Sequence, residues 1–117
     1  MSKRSDLILA EDMLEAVERI LAYTEGMNFD QFDADFKTSD AVLRNLQILG
    51  EAAQNVSPET KAMDTSVEWT KVIRSRHILV HEYFGIDMEI IWRIITVHLP
   101  PLQQQLTQLL VLLENGD

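Results

Sequence analysis

The sequence predicts an all-α protein, an up-and-down bundle of four or five helices. Three observations predict it. Apolar residues recur at spacings of three and four along most of the chain. Gly, Pro and capping residues fall where such helices would stop and start. No run combines strand length, strict apolar–polar alternation and hairpin turns, and there are no repeats or low-complexity segments. At 117 residues the whole chain, 1–117, is expected to form one domain, long enough to bury a core without staples.

The first helix is expected from about Asp6 to Tyr23, with Leu7, Ala10, Leu14, Val17 and Leu21 as its apolar stripe and Gly26 as its stop. "MNFDQFDADFKT" then reads as a connection whose rings, Phe29, Phe32 and Phe36, tuck onto the bundle. A second helix opens near Thr38 to Asp40, which are good caps, and runs to about Asn55 on Val42, Leu46, Leu49 and Ala53. Ser57-Pro58-Glu59 starts a short helical turn that ends near Met63. A third helix runs from around Ser66 to Tyr83 or Phe84, carrying Trp69, Val72, Ile73, Leu79 and Val80, with Gly85 as its stop. Asp87 caps a fourth, with Glu89 in its first turn. Pro100 and Pro101 either kink it or divide it, so that a fifth helix follows His98. The closing Leu106, Leu109, Leu110 and Leu113 are packing residues, within the chain or across a dimer.

Composition narrows the function. The chain has no cysteine, which excludes disulfides, thiolate metal sites and a cysteine nucleophile. Acids at Asp6, Glu11 and Asp12 break the apolar run that a secretory signal would need. No stretch approaches the roughly 18 apolar residues of a membrane span. A cytoplasmic protein is expected, with no membrane partner. A net charge of −9 argues against a broad nucleic-acid surface but allows a local cationic one. Between Trp69 and His81 stand Lys71, Arg74, Arg76, His77 and His81, and no acid.

In "RSRHILVHEYFGID", Arg76, His81 and Tyr83 have the chemistry of a phosphodiester-cleaving site. Histidine moves a proton near neutral pH. Arginine grips phosphate through a fork and offsets transition-state charge. Geometry resists a simple reading: positions five apart on a helix sit roughly 140° apart. Arg76 and His81 then converge only if the helix ends near His81, or if two chains each supply part of one site, as a two-fold dimer would. His77 and His81 are four apart, a metal-ligand spacing, but Ile78 stands where a zinc protease needs its glutamate, and no third ligand is evident; no metal and no cofactor are assigned. A bland reading stands beside the reactive one. Arg76 is then a surface ion-pair residue, His81 a cation at a helix C-terminus, and Tyr83 a core ring.

"RHILVHEYFGID" resembles the signature of HepT-like toxins of the HEPN superfamily: Arg, four to six residues, His, one residue, Tyr. "LEAVERILAYTEGM", "FKTSDAVLRNLQILGEAA", "SPETK", "VEWTKVI", "YFGID" and "LPPLQQQL" resemble further family segments in the same order. The resemblance implies a HEPN-like helical bundle that forms a homodimer with the two motifs facing each other. It implies a metal-independent endoribonuclease acting on RNA, tRNA by expectation. Arg76 would bind the scissile phosphate and His81 would serve as general base or acid. Tyr83 would line the site and be the target of a minimal nucleotidyltransferase antitoxin, which transfers AMP to it. Many relatives carry Met and Asn where this chain has Ser75 and His77, and His77 is either a second proton carrier or a neutral replacement. Arg44 and Asn45 line the site or dimer cleft, or else form an ion pair, with Glu51 for one, and a solvated amide. Lys71 and Arg74 guide RNA by charge, or are a solvated face. Trp69 is core, or stacks on a base. The leading expectation is a ribonuclease toxin of a toxin–antitoxin pair. The alternative is a non-catalytic helical module that presents Tyr83 to a nucleotidyltransferase.

Overall fold

Most helices of this chain begin at a side chain that takes up an orphan backbone N–H. The computed structural model describes residues 4–81 and 85–115, and for 78–81 the backbone alone. The helices are α1 (Asp6–Thr24), α2 (Phe29–Ala34), α3 (Phe36–Asn55), α4 (Pro58–Met63), α5 (Trp69–His81), α6 (Met88–Arg93) and α7 (Leu99–Asn115), with a π-helical turn, Ile94–His98, joining the last two. Ser5, Asn28, Asp35, Ser57 and Asp87 accept from Ile8, Gln31, Thr38, Thr60 and Glu89 respectively. Each such cap is worth about 1 kcal/mol. The expected all-α bundle is the fold found: four long helical rods and two short helices among the described residues.

α3 is the central rod, packed against α1 on one side and α5 on another, while α7 covers α1. The core is drawn from α1, α3 and α7, with Phe32, Val56, Val67, Ile91 and Ile95 completing it. The buried face of α1 is Leu9, Ala10, Met13, Ala16, Val17 and Ile20. The predicted stripe shares Ala10 and Val17 with this face, and its Leu14 and Leu21 are half-buried at the margin. A helix held between two neighbours buries a wider arc than a single stripe. The connection between the first two long helices is itself a short helix with a reciprocal Asn28–Gln31 capping box. Its rings divide: Phe32 is fully buried 5.2 Å from the Trp92 ring, Phe29 packs on the core, and Phe36 is 75% exposed.

α3 starts before the expected Thr38 because the Asp35 carboxylate is already placed to accept the Thr38 N–H at 3.1 Å and its hydroxyl at 2.9 Å. α5 starts later than expected, at Trp69, whose indole N–H donates to the Asp64 carbonyl at 3.1 Å. Its predicted end at Tyr83 or Phe84 lies outside the described residues. Of the two expectations for the prolines, the second is met: α7 begins at Leu99, directly after His98, joined to α6 by the π-helical turn. Proline has no N–H to donate, and its ring meets the carbonyl four residues back in an α-helix. The chain instead widens by one residue just before them: Leu99 N–H donates to Ile94 O, five residues back. No helix among the described residues is long and apolar enough to cross a membrane.

Asp6 fastens the start of α1 to the start of α4. Its carboxylate accepts the Ser57 N–H at 3.2 Å and the hydroxyls of Ser57 and Thr60. Since α4 follows α3 directly, this contact sets α1 and α3 side by side in opposite directions. Burial raises the Asp6 pKa, but these hydrogen bonds and the nearby Lys61 charge outweigh it and hold the carboxyl below its ordinary value.

Candidate active site

The close approach of α3 to α5 is made possible by a missing side chain. A Cβ on Gly50 would stand 2.7 Å from the Arg76 nitrogen, 2.8 Å from the Ser75 hydroxyl and 2.9 Å from the Arg76 Cβ. Glycine in a helix interior costs roughly 0.5–1 kcal/mol against alanine, so the contact must return more than that. Ser75 is buried at this crossing, and its hydroxyl contacts the Leu46 carbonyl at 3.0 Å and the Val72 carbonyl at 2.7 Å. One hydroxyl proton serves both, so the bond across to α3 is shared with one inside α5.

The next residue, Arg76, is thereby laid over the polar edge of α3. Its Nε donates to Glu51 Oε1 at 2.6 Å, and its Nη1 donates to Gln54 Oε1 at 2.8 Å. The side chains of Arg76 and Glu51 are 33% and 46% exposed. A pair this wet contributes about 1 kcal/mol or less to stability. Its larger consequence is a guanidinium fixed in direction, with two of its five N–H groups engaged.

Glu51 also lines a cleft of about 370 Å³ with Arg4, Asp12, Arg44, Gln47 and Asn55. Arg44 is exposed on that wall, but the Glu51 carboxylate bonds Arg76. Arg4 and Asp12 pair across the opposite wall at 3.0 Å. Asn45 is turned away: it is 6% exposed, and its amide donates to the Ala41 carbonyl of its own helix at 2.9 Å. It is neither on the cleft wall nor a solvated amide.

The other predicted residues are distributed along α5. Lys71 and Arg74 are exposed, and Lys71 pairs with Glu68 at 3.0 Å. With Ser75 and His98, Lys71 borders a second cavity of about 320 Å³ between α3, α5 and the last rod. Trp69 is half-buried against the core. His77 is exposed. The backbone remains helical through His81, whose side chain lies outside the described residues, as does all of Tyr83. Helical register therefore separates positions 76 and 81 of one chain by roughly 140°. Gln54 and Gly50 are residues of the candidate site that sequence reasoning did not single out, and Glu51 was read there only as a partner for Arg44, not for Arg76. Their signal was present in "LGEAAQN": a glycine in a helix interior, followed at once by an acid beside an apolar stripe.

Arg76 at this crossing can hold an anion, and the cleft beside it is open to a polar chain. Comparison with known proteins agrees with that chemistry. Residues 13–109 match the family model described as "Ribonuclease HepT-like". A Thermococcus cleftensis protein named "Probable ribonuclease HepT" is 36% identical over 107 residues, covering 92% of this chain and 97% of the relative. A Methanocaldococcus jannaschii protein named "Putative RNase" is 34% identical over 117 residues, covering 100% of this chain and 97% of its own length. A third, also named "Putative RNase", from Caldanaerobacter subterraneus subsp. tengcongensis, is 33% identical over 100 residues, covering 86% of this chain and 89% of the relative. No solved structure matches the chain.

Proposed function

The chain belongs to the ribonuclease HepT-like family, and from that premise we propose that it is a metal-independent endoribonuclease with Arg76 and His81 at the reacting phosphate. The observation that carries the reading is the held guanidinium of Arg76, bonded by Glu51 and Gln54 beside an open cleft. Two bonds leave three N–H groups of the fork to grip phosphate oxygens. Those donors strengthen their hold as charge builds on the oxygens in the transition state. His81 takes the proton from the ribose 2′-OH. The 2′-oxygen then forms a bond to phosphorus as the bond to the 5′-oxygen breaks, and the departing oxygen takes up a proton. The products are a 2′,3′-cyclic phosphate and a free 5′-OH end.

Positions 76 and 81 diverge on one helix, so the complete site draws Arg76 and His81 from two copies in a homodimer. Arg44 and Arg74 on exposed surfaces, with Lys71 and His77 in lesser roles, form the RNA-facing set; Asn45, buried and bonded to its own helix, is not part of it. The biological role that goes with this chemistry is that of a toxin restrained by a minimal nucleotidyltransferase. AMP placed on the Tyr83 hydroxyl would add a negative phosphate and bulk where RNA must enter.

Mixed dimers test the composite site. Arg76→Ala and His81→Ala are each expected to abolish cleavage of RNA. A dimer of one chain of each kind is expected to recover up to half the wild-type rate, because one of its two sites is then intact. If both single variants cleave RNA at the wild-type rate, the nuclease reading fails. Under that outcome a helical module serving as nucleotidyltransferase substrate is the better description.

A further inference from the structure

We propose that Glu51, assisted by Gln54, is the positioning residue of this site: it orients Arg76 toward substrate and takes no part in the proton transfers. The inference rests on the ribonuclease reading above. Three observations carry it. Glu51 Oε1 holds Arg76 Nε at 2.6 Å while Gln54 Oε1 holds Nη1 at 2.8 Å, so the fork is pinned from two sides by one helix. α3 and α5 are locked at that level by the Gly50 contact with Ser75 and Arg76, so the two acceptors stand at a fixed distance from the arginine backbone. Finally, Glu51 is 46% exposed on its side chain and lines the cleft.

That last fact separates a positioning role from a purely structural one. A half-exposed ion pair adds little to folding. A carboxylate on the wall of a site for RNA repels the phosphate chain, so Glu51 costs substrate affinity. What it supplies is direction for Arg76, and a misplacement of about 1 Å at such a group reduces rates on the order of 100-fold. Glu51 therefore trades binding for turnover, and its loss should lower kcat without raising KM.

The experiment is steady-state cleavage of a short RNA by wild type, Glu51→Ala, Glu51→Gln and Gln54→Ala, each verified as folded by circular dichroism and thermal unfolding. Glu51→Ala should lower kcat about 10- to 100-fold while KM falls or stays unchanged. Glu51→Gln keeps a neutral acceptor for Nε and should stay within several-fold of wild type in kcat. Gln54→Ala should show a smaller kcat loss than Glu51→Ala. The proposal is overturned if Glu51→Ala retains kcat within two-fold, if it raises KM with kcat unchanged, or if Glu51→Gln is as inactive as Glu51→Ala. A nitrogen-15 spectrum of the Arg76 Nε–H gives an independent readout in wild type and Glu51→Gln. A downfield, slowly exchanging signal that moves in Glu51→Gln supports the hold even if wild type cleaves no RNA, and a signal indifferent to Glu51→Gln overturns it.

Discussion

Gly50→Ala puts the helix crossing under direct test. Alanine is the better helix former by about 0.8–1 kcal/mol, so propensity alone predicts a more stable protein. The structure predicts the opposite. The new methyl would stand 2.7 Å from the Arg76 backbone nitrogen and 2.9 Å from its Cβ, and neither is the end of a flexible side chain. Overpacking costs roughly 1–3 kcal/mol, and contact with backbone places this case in the upper part of that range. The net is a loss of about 1–2 kcal/mol after the propensity gain. For a chain of 117 residues that is a fall in Tm of about 4–8 °C, at an unfolding entropy of about 2.1 cal/mol/K per residue. Because α5 must shift to accept the methyl, Arg76 moves with it, and RNA cleavage should fall further than the loss of stability explains. Two of the three close atoms belong to Arg76, so Ser75→Ala should not rescue the variant. Thermal and urea unfolding of the purified variants give the answer. A Tm equal to or above wild type would refute the close approach, and with it the reasoning that Gly50 sets the position of Arg76.

Other expectations are more local. Phe32→Ala empties a fully buried site against Trp92 and should cost about 3–5 kcal/mol, read as a lowered urea midpoint with unchanged m-value. Asp6→Asn should destabilise at neutral pH. The folded Asp6 carboxyl is held below its ordinary 3.8, so its contribution is complete above that value and is lost as pH falls through the folded one. The gap between wild type and Asp6→Asn should thus be flat from about pH 7 to 5 and narrow below about pH 4; a gap that widens on acidification contradicts the assignment. Arg44→Ala should leave the fold intact, weaken RNA binding, and reduce the salt slope of single-strand binding by about 0.7, the value of one phosphate contact.

Helix existence and order were legible from local signals. Ser57-Pro58-Glu59 and Asp87 mark starts through their own backbone chemistry, and both did so here. Asp35 was passed over for Thr38 because three adjacent residues can all cap, and only the placement of the Asp35 carboxylate decides between them. The buried face of α1 was caught only in part, at Ala10 and Val17, because one stripe cannot report two neighbours. Pro100-Pro101 marked the opening of a new helix after His98, as found, but the proline penalty alone does not reveal the π turn that joins it to α6. For the candidate site, Arg76 was singled out by residue type and motif. Its partners were not, because Glu51 and Gln54 are more than twenty positions away in sequence and meet Arg76 only once Gly50 lets the helices close.

The most direct test of the central claim is end-group analysis of RNA incubated with purified wild-type protein and with Arg76→Ala, in a chelator that removes divalent metals. The expected result is internal cleavage by wild type alone, leaving 2′,3′-cyclic phosphate and 5′-OH ends. Intact RNA across a wide range of unmodified wild-type protein, or equal cleavage by Arg76→Ala, would contradict it.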